Sequence, residues 1–265
     1  MRNRYIEPFA GSAAIFFRLS PNAAILGDLN PHLMRLFSAI KSDPEGVSQA
    51  LDRIRQRASG LNGKAFAAFY YSLRDDFPKK KRSENAALLL FLNQHCWNGL
   101  YRVNQTGEFN TPIGSYQSLR TMPSLQSLSA ASEALQRASL QLADFEVVAS
   151  MAKPGDFVYF DPPYAPTSQT ARFTSYSATQ FTWLDQVRLK RVLYDLTDRK
   201  ISFLLSNSAT QTMINLYKDF VQTTVSAARS INSVGSKRRG FVELLVSNFE
   251  IDSAEHSLFQ FKEVP

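Results

Sequence analysis

Apolar runs of strand length alternate with stretches of helical period in the first forty residues and again from about residue 138. Ile25-Leu26-Gly27 ends in Asp28, and an amphipathic stretch follows from His32 to Ile40. Later come Leu140 to Leu142, Phe157 to Phe160 and Ile201 to Leu205, with a helical pattern from Leu184 to Leu196. Strands alternating with helices imply crossover connections and a mostly parallel, Rossmann-like α/β sheet. Val221 to Ser230 and Phe241 to Phe249 flank Gly235 to Gly240 and read as a terminal antiparallel hairpin. The middle of the chain has another rhythm. Helical patterns at Leu51 to Ala58, Phe66 to Leu73 and Asn85 to Cys96 lead into a polar loop, Asn98 to Tyr116, with three glycines and no clear period. The pattern therefore predicts an α/β body made of residues 1–50 and 136–265, carrying an insertion over 51–135 with a task of its own.

Composition narrows the class. Of the 265 residues 44% are hydrophobic, which excludes a disordered chain. The longest unbroken apolar run, Ala86 to Leu92, has seven residues where a membrane span needs about 20. Met1 to Glu7 has no apolar stretch of the kind a signal peptide carries. A single cysteine, Cys96, excludes an internal disulfide and suits a reducing compartment, so a cytoplasmic protein is expected. The net charge of +7 permits nucleic-acid binding without establishing it. The block Lys79 to Arg82 reads as a solvated loop or as a phosphate contact.

The sharpest local feature is Asp161-Pro162-Pro163-Tyr164, directly after the apolar strand Phe157 to Phe160. Ligands of open α/β sheets bind beyond the carboxyl ends of the strands. Two prolines remove two donors and fix φ, so a carboxylate, a carbonyl and an aromatic ring are held in an acceptor-rich cluster. That suits a planar ligand with an amino group; the plain alternative is a turn after a strand. Glu7-Pro-Phe-Ala-Gly-Ser-Ala13 is a second candidate, with Gly11 allowing close approach to the backbone and Ala13 in place of a second glycine. That replacement is tolerable if the φ of Ala13 is negative. Asp28 either binds ribose hydroxyls or caps the helix after Pro31. His32, His95 and His256 lack metal-ligand spacing, and Cys96 reads as a buried helix residue. No metal is expected.

Taken in order, these segments resemble the Dam-type (α-group, D12 class) DNA adenine-N6 methyltransferases over nearly the whole chain. The resemblance rests on Glu7-Pro-Phe-Ala-Gly11, Gly27-Asp-Leu-Asn30, Phe91 to Asn104 with Gly107 to Gly114, Asp161-Pro-Pro-Tyr164, Phe173-Thr-Ser-Tyr176, and Arg229 to Ser233 with Glu243-Leu-Leu245. It implies transfer of a methyl group from S-adenosylmethionine to adenine N6 in duplex DNA, at GATC or a related short site, with the adenine flipped out. Asp161, Pro162 and Tyr164 would be catalytic. Pro8, Phe9, Gly11, Asp28, Asn30, Asp144, Phe145 and Asp161 would hold S-adenosylmethionine. Trp97, Asn98, Leu100, Arg102, Asn104, Pro112 and Tyr116 would meet DNA, so that 51–135 becomes a target-recognition domain. Trp97 could instead pack in the core, Asn98 could be a turn residue, and Arg102 could brace its loop against Glu108.

Relatives carry a Lys-rich, Gly-Gly-containing segment before the cofactor loop, whereas six residues precede Glu7 here, so weaker enclosure of the cofactor is expected. Alternatives within the chemistry are methylation of cytosine N4, RNA adenine or a glutamine amide; the alternative outside it is a catalytically silent DNA-binding protein. Double-stranded DNA is the expected partner, with no membrane and no obligate protein partner.

Overall fold

The structure, a computed structural model, describes residues 3–80, 82–104, 108–163, 181–227 and 241–251. Among them, seven strands form one sheet: β1 (Tyr5–Glu7), β2 (Ala24–Asp28), β3 (Ala138–Leu142), β4 (Phe157–Phe160), β5 (Ser202–Ser208), β6 (Val221–Ala227) and β7 (Phe241–Ser247). Their order is β3-β2-β1-β4-β5-β7-β6. The first five run parallel, while β7 pairs antiparallel with both β5 and β6. The mostly parallel sheet and its antiparallel end are thus as the pattern predicts. Residues 228–240, between the last two strands, lie outside the described residues.

The strand order has a consequence for ligands. From β1 the chain moves outward to β2 and β3, then returns across β1 to β4 and β5. The strand order therefore reverses between β1 and β4, and in sheets of this kind the carboxyl ends at such a point are where ligands bind. The two sequence motifs, at Glu7 and at Asp161, end on these two strands.

Alternate residues of the central strands enter different cores. Tyr5 and Leu26 face one layer, with α1 (Ala14–Leu19), α2 (Pro31–Ser42), α3 (Pro44–Ala58), α4 (Gly63–Asp76), α5 (Arg82–His95) and α6 (Leu125–Gln136). Ile6, Ile25, Val158 and Phe160 face the other, with α7 (Phe145–Ser150), α8 (Trp183–Asp198) and α9 (Gln211–Leu216). At Gly27 any side chain would collide with Val148, its Cγ2 only 2.4 Å from an added Cβ, so glycine lets α7 lie against β2.

The helical segment between β2 and β3 is joined to the sheet, not hung from it. Phe66, Tyr70, Leu88, Phe91 and Leu92 belong to the same buried cluster as Tyr5 and Leu26. α5 is the centre of this packing: it lies against α2 and α3 and buries Ala86–Leu89, Phe91 and Leu92. Several boundaries differ from the pattern. α3 begins at Pro44 and not at Leu51, because Asp43 Oδ1 accepts from Gly46 N at 2.9 Å and proline suits the first turn. α6 was not expected; Ser124 caps it, and Leu128 and Leu135 bury its inner face.

Ala13 is a second correction. Its φ is +53° and its ψ 32°, so it is left-handed and the condition of a negative φ is not met. The turn into α1 imposes this conformation, and alanine bears it at about 1–2 kcal/mol of steric cost. Among the described residues, no helix is long and apolar enough to cross a membrane.

Candidate active site

Asp161 follows β4, and the pairing of Phe160 with Leu205 brings it beside Ser206 on β5. Ser206 Oγ donates to Asp161 Oδ1 at 3.0 Å. Tyr159 lies 3.2 Å from the same hydroxyl. A serine has one proton to give; with that proton on the carboxylate, Tyr159 must be the donor to Ser206. Asp161 is thus fixed by a relay of two hydroxyls on two strands. Asp161 itself is exposed, whereas Pro162 is buried. Tyr164 and the loop Phe173 to Tyr176 lie outside the described residues.

Across the reversal point stands Glu7, 3% exposed at the end of β1. Burial pushes its carboxyl up to about 8, and the charge of Asp161 adds to the rise. The Tyr5 hydroxyl and the Phe16 backbone act the other way, though Glu7 Oε2 and Tyr5 Oη both stop short of hydrogen-bond geometry. Glu7 was read only as part of its loop motif, and Ser206 was not singled out at all. A glutamate inside an otherwise apolar strand end, Tyr-Ile-Glu-Pro-Phe, was the available signal for the first.

The loop after β1 is built on Asp28. Gly11 N donates to Asp28 Oδ2 at 2.9 Å, and Asn30 N donates to Asp28 Oδ1 at 2.8 Å. Burial raises the pKa of Asp28, and these backbone bonds partly offset it. Asp28 does not cap α2. Asn30 does, its Oδ1 accepting from His32 N at 2.9 Å and Leu33 N at 3.4 Å. Gly11 has φ +48°, and nothing lies within 4 Å of the place a Cβ would occupy. Such a backbone, open on that side and next to a desolvated carboxylate, admits a close ligand. Pro8 is buried, and Phe9 stacks on Phe145 at 5.1 Å. Asp144 caps α7 through Glu146 N and also accepts from Arg188, whose guanidinium lies 4.9 Å from the centre of the Phe145 ring. Phe9, Asp144 and Phe145 are therefore brought together, with Asp144 already engaged by the arginine.

The segment after α5 doubles back on itself. Cys96 bridges Ile113 and Val103 bridges Phe109, both antiparallel. Its base, directly after α5, is the short turn Trp97-Asn98-Gly99, with Asn98 at φ +53° and Gly99 at φ +65°. Asparagine and glycine are the residues that take this left-handed pair at least cost. Trp97 is 51% exposed, which rules out core packing for it. Cys96, just before this turn, is fully buried, and burial pushes its thiol up to about 11. Leu100 is half-buried and Pro112 exposed. Arg102 Nε donates to Asn110 Oδ1 at 2.9 Å, and Nη2 to Asn110 O at 3.3 Å. The brace is thus Asn110. Glu108 pairs instead with Asn104, through Asn104 Nδ2 at 3.0 Å and through its own backbone N–H at 2.9 Å. Tyr116 carries the Arg120 guanidinium 4.4 Å from the centre of its ring. The buried His95 ties the far side down, accepting from Arg120 N at 2.9 Å on Nε2 and giving its Nδ1 proton to Phe91 O at 2.8 Å. Lys79 and Lys80 are exposed and lie within 4 Å of Asp76 and Glu84, in keeping with a solvated loop; Lys81, Gly107 and His256 lie outside the described residues.

Comparison with known proteins bears on this arrangement. Residues 1–231 match the family model of the D12 class N6 adenine-specific DNA methyltransferases. The chain is 38% identical to the type II methyltransferase M.MjaIII of Methanocaldococcus jannaschii over 256 residues, covering 93% of this chain and 88% of the relative. It is 34% identical to the type II methyltransferase M1.LlaDCHI of Lactococcus lactis subsp. cremoris, over 93% of this chain and 87% of that one. To the DNA adenine methylase of Escherichia coli K12 it is 33% identical, over 91% and 84% respectively.

Proposed function

Because the chain belongs to the D12 class of N6 adenine-specific DNA methyltransferases, we propose that Asp161 and Pro162 hold the adenine amine of a duplex site of the GATC kind. The observation that carries this reading is the Ser206–Asp161 hydrogen bond beside the point where the sheet reverses. It fixes a carboxylate, followed by a buried proline, at the crevice where ligands of such sheets bind.

Methyltransferases of this class use S-adenosylmethionine, which supplies an electrophilic methyl group on a sulfonium. The residues present fit it. Gly11 leaves its backbone open, Asp28 offers a desolvated carboxylate of fixed orientation, and the unpartnered Glu7 Oε2 is a buried acceptor at the crevice. In our reading Pro8, Phe9, Gly11, Asp28 and Asn30, with Asp144, Phe145 and Asp161, make that site.

The chemistry asked of this chain is to make a poor nucleophile better. Adenine N6 is planar, its lone pair delocalised into the ring. Accepting its two N–H bonds at the Asp161 carboxylate and the Pro162 carbonyl favours a pyramidal nitrogen. Both acceptors bind more strongly as positive charge grows on nitrogen, so they act on the transition state more than on the ground state. The methylated amine then loses a proton to Asp161 or to water. Flipping the adenine costs a few kcal/mol, which stacking on Tyr164 would partly offset. In our reading the exposed Trp97 and Asn98 enter the emptied stack and Arg102 reads a guanine edge, with Leu100, Asn104, Pro112 and Tyr116 along neighbouring bases and phosphates.

Methylation-sensitive long-read sequencing of unmethylated DNA exposed to the protein and S-adenosylmethionine tests this directly. N6-methyladenine confined to GATC is expected. Adenine methylation at a site without a guanine next to the target would sink the sequence assignment, and methylcytosine would sink the acceptor.

A further inference from the structure

Asn30 accepts one bond more than its role as a helix cap requires. Its Oδ1 is already met by the backbone of His32 and Leu33 at the start of α2. The third donor is the hydroxyl of Tyr101, at 3.2 Å and 71 residues away in sequence. Tyr101 lies in the doubled-back loop, next to Arg102. Asn30 lies at the end of β2, two residues from Asp28.

The contact closes a continuous path. Gly11 N–H donates to one oxygen of Asp28 and Asn30 N–H to the other. Asn30 Oδ1 accepts from Tyr101, and the next residue is the arginine held by Asn110. Neither end is loosely attached. The Tyr101 ring is half-buried, with Phe109 at 5.7 Å and His32 at 6.3 Å between ring centres. Burial raises the phenol well above the ordinary tyrosine range, as does the nearby Asp28 charge, so the hydroxyl stays protonated and can only be the donor here. Consecutive Cα atoms are about 3.8 Å apart, so a shift of Arg102 on engaging a base is passed to Tyr101 within one peptide unit.

We propose that Tyr101 is a positioning residue that couples target recognition to cofactor loading through its hydrogen bond to Asn30. The proposal rests on the assignment of the Gly11–Asp28 loop to S-adenosylmethionine and of the Trp97–Tyr116 segment to DNA. Engagement of Arg102 by the cognate duplex sets Tyr101, Tyr101 sets Asn30, and Asn30 sets the Asp28 carboxylate for the ribose. By reciprocity, the cofactor strengthens DNA binding by the same factor.

The test is calorimetric titration of the full chain with sinefungin, a cofactor analogue that carries no transferable methyl group, with and without a saturating GATC duplex. In the wild type the duplex is expected to tighten sinefungin binding roughly fivefold, at the low end of known couplings. In Tyr101→Phe, which keeps the ring packing, that factor is expected to fall below about twofold while each ligand alone binds within about twofold of wild type. The reverse titration, duplex with and without sinefungin, must return the same factors. A factor retained in Tyr101→Phe overturns the coupling, as does a wild type that binds both ligands without mutual effect. A wild type that binds neither ligand overturns the underlying site assignment, and the proposal with it.

Discussion

Ser206 Oγ on β5 donates to Asp161 Oδ1 across 3.0 Å, so the carboxylate at the head of the Asp-Pro-Pro sequence takes its orientation from the neighbouring strand. Asp161→Ala is expected to abolish methyl transfer while leaving DNA affinity nearly intact. Retention of more than about a tenth of the rate would mean only ~1.4 kcal/mol of lost transition-state stabilisation, too little for the role. Ser206→Ala should lower kcat about tenfold, the worth of one hydrogen bond to a charged group, without raising KM for DNA. Single-turnover rates on a GATC duplex measure both; a raised KM with unchanged kcat would make Ser206 a purely structural residue.

Glu7 gives a dependence on pH whose sign is fixed. In the folded chain burial keeps its proton on up to about pH 8, whereas an unfolded glutamate releases it near pH ~4.3. Between those values the folded state binds more protons than the unfolded one, so this residue lowers stability as pH rises. Glu7→Gln carries no such penalty. Its melting temperature relative to wild type is expected to climb from pH 5 to pH 8 and then level off. Thermal melts across that range decide the matter, and a difference that does not change with pH means that Glu7 is ionised throughout.

Arg102 and Asn110 separate reading from bracing. If the guanidinium reads guanine, Arg102→Ala should relax the base requirement at one position by roughly 1–3 kcal/mol. Asn110→Ala removes only the brace, so it should weaken binding to every sequence alike and keep the preference. Turnover on GATC and on duplexes changed at each base measures this; an unaltered preference in Arg102→Ala removes the guanine contact.

Trp97→Ala should leave stability within about 0.5 kcal/mol, since the ring is exposed. It should still depress the fluorescence rise of 2-aminopurine placed at the target adenine, the signal of base flipping. Lost stability with normal fluorescence would return Trp97 to a packing role.

What could be read from the sequence was whatever is encoded locally. The run Phe157 to Phe160 is built of aromatic and β-branched residues because a central parallel strand is packed on both faces, Val158 and Phe160 fully buried and Phe157 and Tyr159 half-buried, and its boundaries match β4. The tetrapeptide after it was legible for the same reason. Ser206 was not, because it meets Asp161 through strand pairing 45 residues later in the chain, and nothing local in Leu-Leu-Ser-Asn announces that partner. The brace that the sequence offers Arg102 is Glu108, but an antiparallel bridge between Val103 and Phe109 sets Asn110 opposite it instead. At two further places signals compete. Asp28 and Asn30 are both good caps, and Asp28 lost the role because Gly11 and Asn30 had taken its oxygens. Asp43-Pro44 is itself a helix-start signal, passed over because the apolar period is clearer from Leu51.

The core that joins α5 to the first strands bears on how specificity can be exchanged in this molecule. Leu88, Phe91 and Leu92 complete the same apolar layer as Tyr5 and Leu26, so residues 51–135 cannot be lifted out as a cassette without opening the body that carries catalysis. The doubled-back loop above them is different. At its base Trp97 to Gly99 are exposed, and next to them His95 and Cys96 are buried as a fixed floor. If the proposed DNA contacts of this loop hold, new target preferences are a matter of rewriting the short span above that floor, on an otherwise unchanged protein.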